Sequence, residues 1–361
     1  MIDSPSARLT VDLDALAANH RTICLQAAGA EVAPVVKADA YGLGLGPVAL
    51  RLHAEGARSF FVARLAGGEA LRALLGPERP ATIYVLDGVV PGSVEPLRAA
   101  KLTPVLNDLA QVDAWRSRAG EAPSPAALHV DTGINRLGLR PEQAGSVAAA
   151  GAGLEIALVM SHLACASDAA SATNRRQLER FHEVRRLFPG AKASLANSAG
   201  MFLGRDFAFD MVRPGISLYG GGPFETSHPA ILPVATLTAP VLQVRAVPAG
   251  ESVGYGSTFT AERVMTVATV GVGYADGVLR SSSPGGSAFV AGEHRPLIGR
   301  VSMDLLAVDV TGLVVRPGDA VELFGTNLPI DEAAAAAGTM AYELLVRLGP
   351  RVTRVYRGGF S

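Results

Sequence analysis

Sulfur, tryptophan and net charge are all scarce in this chain. Its 361 residues include two cysteines and one tryptophan, and 32 Lys/Arg against 33 Asp/Glu leave a formal net charge of -1. Cys24 and Cys165 lie far apart with no Cys-x-x-Cys spacing, so two reduced thiols are expected rather than a disulfide or a metal site. With no basic surplus or basic patch, nucleic acid and anionic membrane surfaces are not expected partners. Although 49% of the residues are hydrophobic, no run of about 18 apolar residues escapes interruption by a charge or a glycine, so no membrane span is expected. The opening MIDSPSARLTVDLD lacks a basic stretch followed by an apolar core. No signal peptide is therefore expected, and a cytoplasmic protein acting on small molecules is the expectation.

What is present is a regular alternation. Over the first two thirds, short β-branched runs alternate with Ala/Leu/Arg-rich segments of helical spacing. The expected strands are Val32–Val36, Ser59–Ala63, Thr82–Leu86, Thr103–Leu106, Ala127–Val130, Ile156–Met160, Ala193–Leu195 and Asp210–Val212. Helical stretches are expected at Pro47–Glu55, Gly68–Leu75, Leu109–Arg118, Glu142–Ala150 and Thr173–Phe188. Strands apolar on both sides and separated by helices imply a parallel sheet covered on both faces. Eight such units in this length predict a closed (β/α)8 TIM-type barrel in preference to an open doubly wound sheet. From about residue 231 helical spacing gives way to alternating strands broken by PAG, SSSPGG and RPGD turns, which predicts a mainly antiparallel β C-terminal domain. The expected division is residues 1–230 and 231–361, the first residues pairing with the second domain. One late helix is expected, from an N-cap at Asp331 to about Leu348.

In a barrel of this kind the active site lies at the carboxyl ends of the strands. Strand one ends in Lys37, and Tyr41 follows across a turn whose glycines are expected to let the chain bend. Strand five ends in His129, Asp131 and Arg136; strand six in Ser161 and His162. Strand seven ends in Asn197 and Ser198, and strand eight in Arg213 and the turn Pro214-Gly215-Ile216. Taken singly, each has an ordinary use. Lys37 would serve as a solvated rim charge, His162 as a structural histidine, and Asp131 with Arg136 as a brace for one turn. Together they converge on one mouth. Barrels often build a phosphate site after strands seven and eight, and Ser198 with the amides of Gly215 and Ile216 suits one.

A phosphate site facing a lysine suggests pyridoxal 5'-phosphate, which forms an imine with lysine and makes an amino-acid α-proton acidic. Arg213 beside the phosphate turn is placed to reach the pyridine nitrogen. Because arginine only donates, the ring nitrogen would stay neutral and the ring would be a weaker electron sink. That favours reversible proton exchange at the α-carbon over transamination.

The residues also resemble the alanine racemase family, the fold type III pyridoxal-phosphate barrel enzymes, over essentially the full chain and in order. The motifs are VDLDAL, VVKADAYGLG, DTGINRLG, MSHLACA, ANSAG, MVRPGISLYG, ESVGYGSTF, VGYADG, GRVSMD, AYELL and RVTRVY. The resemblance implies that Lys37 is the Schiff-base lysine and the base for the D-enantiomer, and that Tyr255 is the opposite-face base for the L-enantiomer, supplied by the partner subunit of a homodimer. Arg136 would contact the cofactor's phenolic oxygen and the substrate carboxylate. Arg213 would meet the pyridine nitrogen, with His162 linking it towards Tyr255. Tyr41, Ser198, Gly215, Ile216 and Tyr342 would contact the phosphate, with Asn197 beside them. Met303 and Asp304 would lie at the substrate carboxylate, from the other subunit, and Tyr274 would line the access channel. The activity implied is interconversion of L- and D-alanine, supplying D-alanine for peptidoglycan.

A racemase must deliver a proton to either face of one planar carbanion, so two bases on opposite sides are required. Tyrosine is a poor base unaided, because a pKa near 10 places its ionised form roughly 4 kcal/mol uphill at pH 7. Neighbouring cationic charge is therefore expected to assist Tyr255. One position departs from the family pattern. Many members carry a carbamylated lysine two residues before the DTG aspartate, bracing the carboxylate-binding arginine; here the residue is His129, which cannot form that carbamate. Arg136 must then be held by a water, an anion or the imidazole itself. Ser302, where some relatives have cysteine, makes the access channel less sensitive to thiol reagents. The competing readings are a serine or broad-specificity racemase, a diamino-acid decarboxylase (which Arg213 disfavours), and a non-catalytic cofactor-binding barrel, which the second domain disfavours.

Overall fold

The computed structural model describes residues 6–117, 125–149 and 153–359. Two compact units emerge. One comprises Ala17–Ala40 and Leu45–Leu218; the other comprises Met1–Leu16, Tyr41–Gly44 and Tyr219–Ser361. The first strand, β1 (Arg8–Asp12), belongs to the latter.

The next eight strands build the first unit: β2 (Glu31–Val32), β3 (Ser59–Val62), β4 (Thr82–Val85), β5 (Thr103–Leu106), β6 (Pro125–His129), β7 (Glu155–Met160), β8 (Lys192–Ser194) and β9 (Met211–Val212). β3 to β8 pair in order and in parallel, and β2 pairs in parallel with β9. Single bridges from Val35 to Phe61 and from Asn197 to Arg213 join these two sheets at both seams. The parallel circuit is therefore closed, as an eight-stranded barrel requires.

All four residues of β3 are buried, as are all four of β5, because helices cover one face and the barrel interior the other. Val32–Val36 was expected as one strand, but only Glu31–Val32 and the Val35 bridge pair regularly. Pro34 has no N–H to donate; its carbonyl instead accepts from the Phe61 amide. The helix Leu109–Arg116 starts where Asp108 accepts the Gln111 amide at 2.8 Å. The expected ends of that helix and of the one at Pro141–Ala149, Arg118 and Ala150, lie outside the described residues. Helices at Leu13–Gln26 and Val94–Ala99 went unexpected.

The second unit adds β10 (Ala235–Val247), β11 (Ser252–Val253), β12 (Phe259–Thr260), β13 (Met265–Val270), β14 (Ser287–Val290), β15 (Glu293–Ile298), β16 (Leu306–Asp309), β17 (Ala320–Phe324) and β18 (Thr353–Arg357). Its main sheet runs β13-β16-β15-β14-β17-β10-β1-β18, and β13 pairs again with β10. All of these pairs are antiparallel except β1 with β18. β10 serves three partners along its 13 residues, β1, β17 and β13, and its pairing with β13 shifts register between Val241 and Gln243. The β-rich reading therefore describes this unit.

The single late helix is corrected. Two short helices, Ile330–Ala336 and Ala341–Val346, flank a break. Gly338 takes φ 70 there, a left-handed stop that continues poorly as helix. Nor is Asp331 the cap: Pro329 holds that position, while Asp331 sits inside the first turn and accepts the Gly222 amide at 2.8 Å.

Candidate active site

Lys37 stands just beyond β2, at the same strand end as Arg213 after β9: the Ala33 amide meets the Val212 carbonyl and the Val35 amide meets that of Pro214. The turn after the lysine is unusual. Ala38, Asp39, Ala40 and Tyr41 take φ of 53, 56, 51 and 58, four consecutive non-glycine residues in left-handed conformation. L-residues pay roughly 1–2 kcal/mol each for that geometry. The bend expected of the glycines thus starts four residues earlier, on alanine and aspartate. The Ala40 amide to the Val36 carbonyl (3.0 Å) and the Leu45 amide to Asp39 Oδ1 (2.7 Å) brace it. Lys37 is exposed at the rim, yet the neighbouring protein desolvates its amine and lowers its pKa; the Arg136 charge adds to the effect and Asp87 opposes it. A larger fraction of free amine is the consequence.

Arg213 is buried and held against the barrel wall by Nη1 and Nη2. It donates to Ser194 Oγ, to the Ser161 carbonyl (2.6 Å) and to the Leu195 carbonyl (3.2 Å). Burial pushes its pKa down to about 9, which leaves it charged at neutral pH. Behind it, Ser198 Oγ accepts the amides of Gly215 (2.9 Å) and Ser217 (3.4 Å), so its own proton is what it can offer outward. Ile216 opens the short turn Ile216–Leu218, and the buried Ser217 hydroxyl has no partner among the described residues. Asn197 caps the next turn, accepting the Gly200 amide at 2.9 Å.

Two imidazoles flank these cations. His129, buried at the end of β6, pairs through Nδ1 with Asn107 Oδ1 at 2.8 Å, while its Nε2 has no partner among the described residues. The Asn107 amide nitrogen is used on the Leu86 and Val105 carbonyls, so its oxygen is the acceptor and His129 donates from Nδ1. Burial and then the charge of Arg213 bring the His129 pKa down to about 4, and the same causes take His162 down to about 3. Both rings are neutral at pH 7. Arg136 is exposed on the turn after β6, where Asp131 Oδ1 accepts the Gly133 and Ile134 amides at 2.8 and 2.9 Å. Gln177 ties that turn to the next strand end by donating to Thr132 Oγ1 (3.2 Å) and to the His162 carbonyl (2.9 Å). Sequence reading missed Asn107, Ser194 and Gln177. Asn107 follows β5 directly, and inspecting every strand end would have found it.

The remaining predicted residues lie in the second unit. Tyr41, Tyr219 and Tyr342 form a cluster with centroids 4.7 Å (Tyr41–Tyr219) and 5.8 Å (Tyr41–Tyr342) apart. Burial raises the pKa of Tyr41, and that of Tyr342 to about 12, so both hydroxyls stay protonated donors. Tyr255 projects from a tight turn between Gly254 (φ 77) and Gly256 (φ 73) and is 74% exposed. Tyr274 and Met303 are also exposed. Their loops are stitched together by the Tyr274 and Ala275 amides, which donate to the Ser302 and Met303 carbonyls at 3.0 and 2.9 Å. Asp304 pairs with Arg351 at 2.8 Å, and Arg351 also reaches buried Asp276 at 3.0 Å.

Two family profiles match in succession: alanine racemase N-terminal domain over residues 11–223 and alanine racemase C-terminal domain over residues 234–356. The chain belongs to the alanine racemase family. An alanine racemase of Rhizobium meliloti is 46% identical over 374 residues, covering 99% of this chain and 98% of that one. Among solved structures, an alanine racemase from Bartonella henselae with covalently bound pyridoxal phosphate superposes with a TM-score of 0.91 at 37% identity, covering 98% and 99% of the two chains. The biosynthetic alanine racemase of Pseudomonas aeruginosa gives 0.92 at 36% identity, covering 98% and 100%. Within this alanine racemase fold, His129 brings a neutral ring with a fixed tautomer to the strand end beside the Arg136 turn.

Proposed function

We propose that the chain is a pyridoxal-phosphate-dependent alanine racemase that interconverts L- and D-alanine with two bases. The observation that carries this reading is Lys37, its amine pKa depressed, at the same strand ends as the buried Arg213 cation. The residues fit the cofactor. A readily deprotonated amine suits an aldehyde, and neutral donors (Ser198, the Ile216 amide, and the Tyr41 and Tyr342 hydroxyls) suit a phosphate without a competing carboxylate. The buried guanidinium suits a ring nitrogen that accepts and is never protonated.

When bound, the cofactor supplies a carbonyl to capture the amino group and an electron-withdrawing ring that acidifies the α-hydrogen. Everything else falls to the chain. Lys37 takes or returns the proton on one face of the α-carbon. Tyr255 serves the opposite face, which is why one enzyme works from either enantiomer. Arg136 binds the carboxylate, and Met303 and Asp304 complete that contact. Asn197 steadies the phosphate turn, Gly215 presents Ser198 through its amide, and Tyr274 lines the approach. His162, neutral, links Arg213 towards Tyr255 without carrying charge itself. Tyr255 reaches the site of a partner subunit in a homodimer; its 74% exposure in the single chain supports that role.

The enzyme works in the cytoplasm and supplies D-alanine for peptidoglycan; the biosynthetic Pseudomonas neighbour supports this direction. No helix among the described residues is long and apolar enough to cross a membrane. Deuterium wash-in at the α-carbon of L- and D-alanine, with serine as competitor, tests the proposal. Purified protein should show a visible absorbance band that borohydride bleaches and should exchange both enantiomers. A protein that binds the cofactor yet exchanges neither sinks the reading.

A further inference from the structure

The left-handed turn after Lys37 raises a question of support, because four L-residues in that conformation do not hold themselves. The turn runs into Tyr41–Gly44, and that segment is gripped from β18. Arg354 Nε donates to the Gly42 carbonyl at 3.2 Å, and the Tyr356 hydroxyl donates to the Leu43 carbonyl at 2.8 Å. The rest of the Arg354 guanidinium is fixed in turn: Nη1 donates to the Gly349 (2.6 Å) and Val352 (2.9 Å) carbonyls, and Nη2 to that of Leu348 (2.7 Å). Four carbonyls thus converge on one planar fork, a geometry lysine cannot reproduce.

This grip adds to the two bonds that brace the turn from within, the Ala40 amide on the Val36 carbonyl and the Leu45 amide on Asp39. A Cβ on Gly42 would strike the Leu345 carbonyl of the helix Ala341–Val346, and one on Gly44 would strike the Tyr356 hydroxyl of the clamp, so the segment is packed closely from two sides. β18 itself is anchored by its parallel pairing with β1, where Arg354 stands beside Leu9 and Tyr356 beside Val11. The strained turn therefore continues along the chain into a segment bonded to β18.

We infer that Arg354, assisted by Tyr356, is a positioning residue for Lys37: by holding the carbonyls of Gly42 and Leu43 it keeps the left-handed turn in place and so fixes where the lysine amine points. The inference rests on the reading of Lys37 as the cofactor-binding lysine. It adds a role that no strand-end inspection reveals, because Arg354 acts only through main-chain carbonyls.

The experiment compares Arg354→Met with Arg72→Met in cofactor-loaded enzyme. Arg72 is the control: it donates to three carbonyls where Arg354 donates to four, those of Ala81, Ala100 and Lys101, away from the lysine. Wild type is first reduced with borohydride and peptide-mapped. An adduct on Lys37 is expected; an adduct elsewhere overturns the reading of Lys37 and this inference with it. Both variants should lose thermal stability. Arg354→Met alone should release the cofactor to hydroxylamine about tenfold faster and slow α-deuterium exchange by a similar factor, as a displaced reacting group does. If Arg354→Met matches Arg72→Met in stability but keeps wild-type hydroxylamine resistance and exchange, the inference fails. Should Arg354→Met not fold, Tyr356→Phe removes a single bond to the same segment and should show the same two changes at about threefold; unchanged values there overturn the inference equally.

Discussion

The barrel mouth and the exposed face of the second unit carry the proposed groups of one reaction under opposite conditions. At the mouth, Arg213 and His129 are buried and each polar group is tied to a neighbour or starved of one. Tyr255, Met303 and Asp304 stand in water. Burial tunes the first set: it keeps two imidazoles neutral beside two arginines and frees the lysine amine. Tyr255 and Met303 lack that burial. The lesson is that burial within the barrel prepares the lysine end of the proposed site, whereas the proposed second base stands exposed and would need cationic charge from another surface to assist it. The proposed dimer would supply that surface.

The sharpest way to break this comparison is to separate the two sets. Lys37→Ala should lower racemisation by about a thousandfold or more and leave no borohydride-reducible adduct at residue 37, whereas Tyr255→Ala should lose comparable activity and keep the adduct. Mixing the two variants should then restore measurable exchange. Persistent inactivity of the mixture would count against sites shared between subunits. Next in size is Arg213→Met. It strips the Ser161 and Leu195 carbonyls of their buried donor and should cost about 3 kcal/mol in denaturant unfolding.

The buried histidines give a pH test with a definite sign. His129 has a folded pKa of about 4 against an ordinary 6.5, so the unfolded chain takes up the proton first. Stability from keeping it neutral is therefore complete above pH 6.5 and drains away as the pH falls towards 4, by on the order of 3 kcal/mol. His129→Gln should flatten that slope in melts recorded between pH 7 and 4.5. The smallest expected effect lies at the exposed face. Asp304→Asn removes a surface ion pair with Arg351, so the melting temperature should barely change. The KM for alanine should nevertheless rise severalfold, which separates a binding role from a structural one.

Much of the barrel was legible because parallel strands buried on both faces leave continuous apolar runs, and Thr103–Leu106 emerged with the expected ends. The helix Leu13–Gln26 was not, since its polar residues Asn19 and His20 are buried and blur the stripe that periodicity detects. At the site the polar strand ends were readable one by one. The left-handed turn was not: ADAY looks like helix, and only main-chain geometry gives it the other hand. Arg351 and Arg354 were hidden for a related reason, as the carboxylates that Arg351 meets and the Gly42 carbonyl that Arg354 meets are far away in the chain.

That turn has a consequence for chemical synthesis. Backbone dihedrals near φ 53, ψ 50 are left-handed helical geometry, the comfortable one for D-residues. A semisynthetic chain with D-alanine at positions 38 and 40 should relax there and rely less on its clamp. The two alanines nearest the proposed lysine thus hold a conformation that suits one of the enantiomers it would produce and strains the one from which proteins are made.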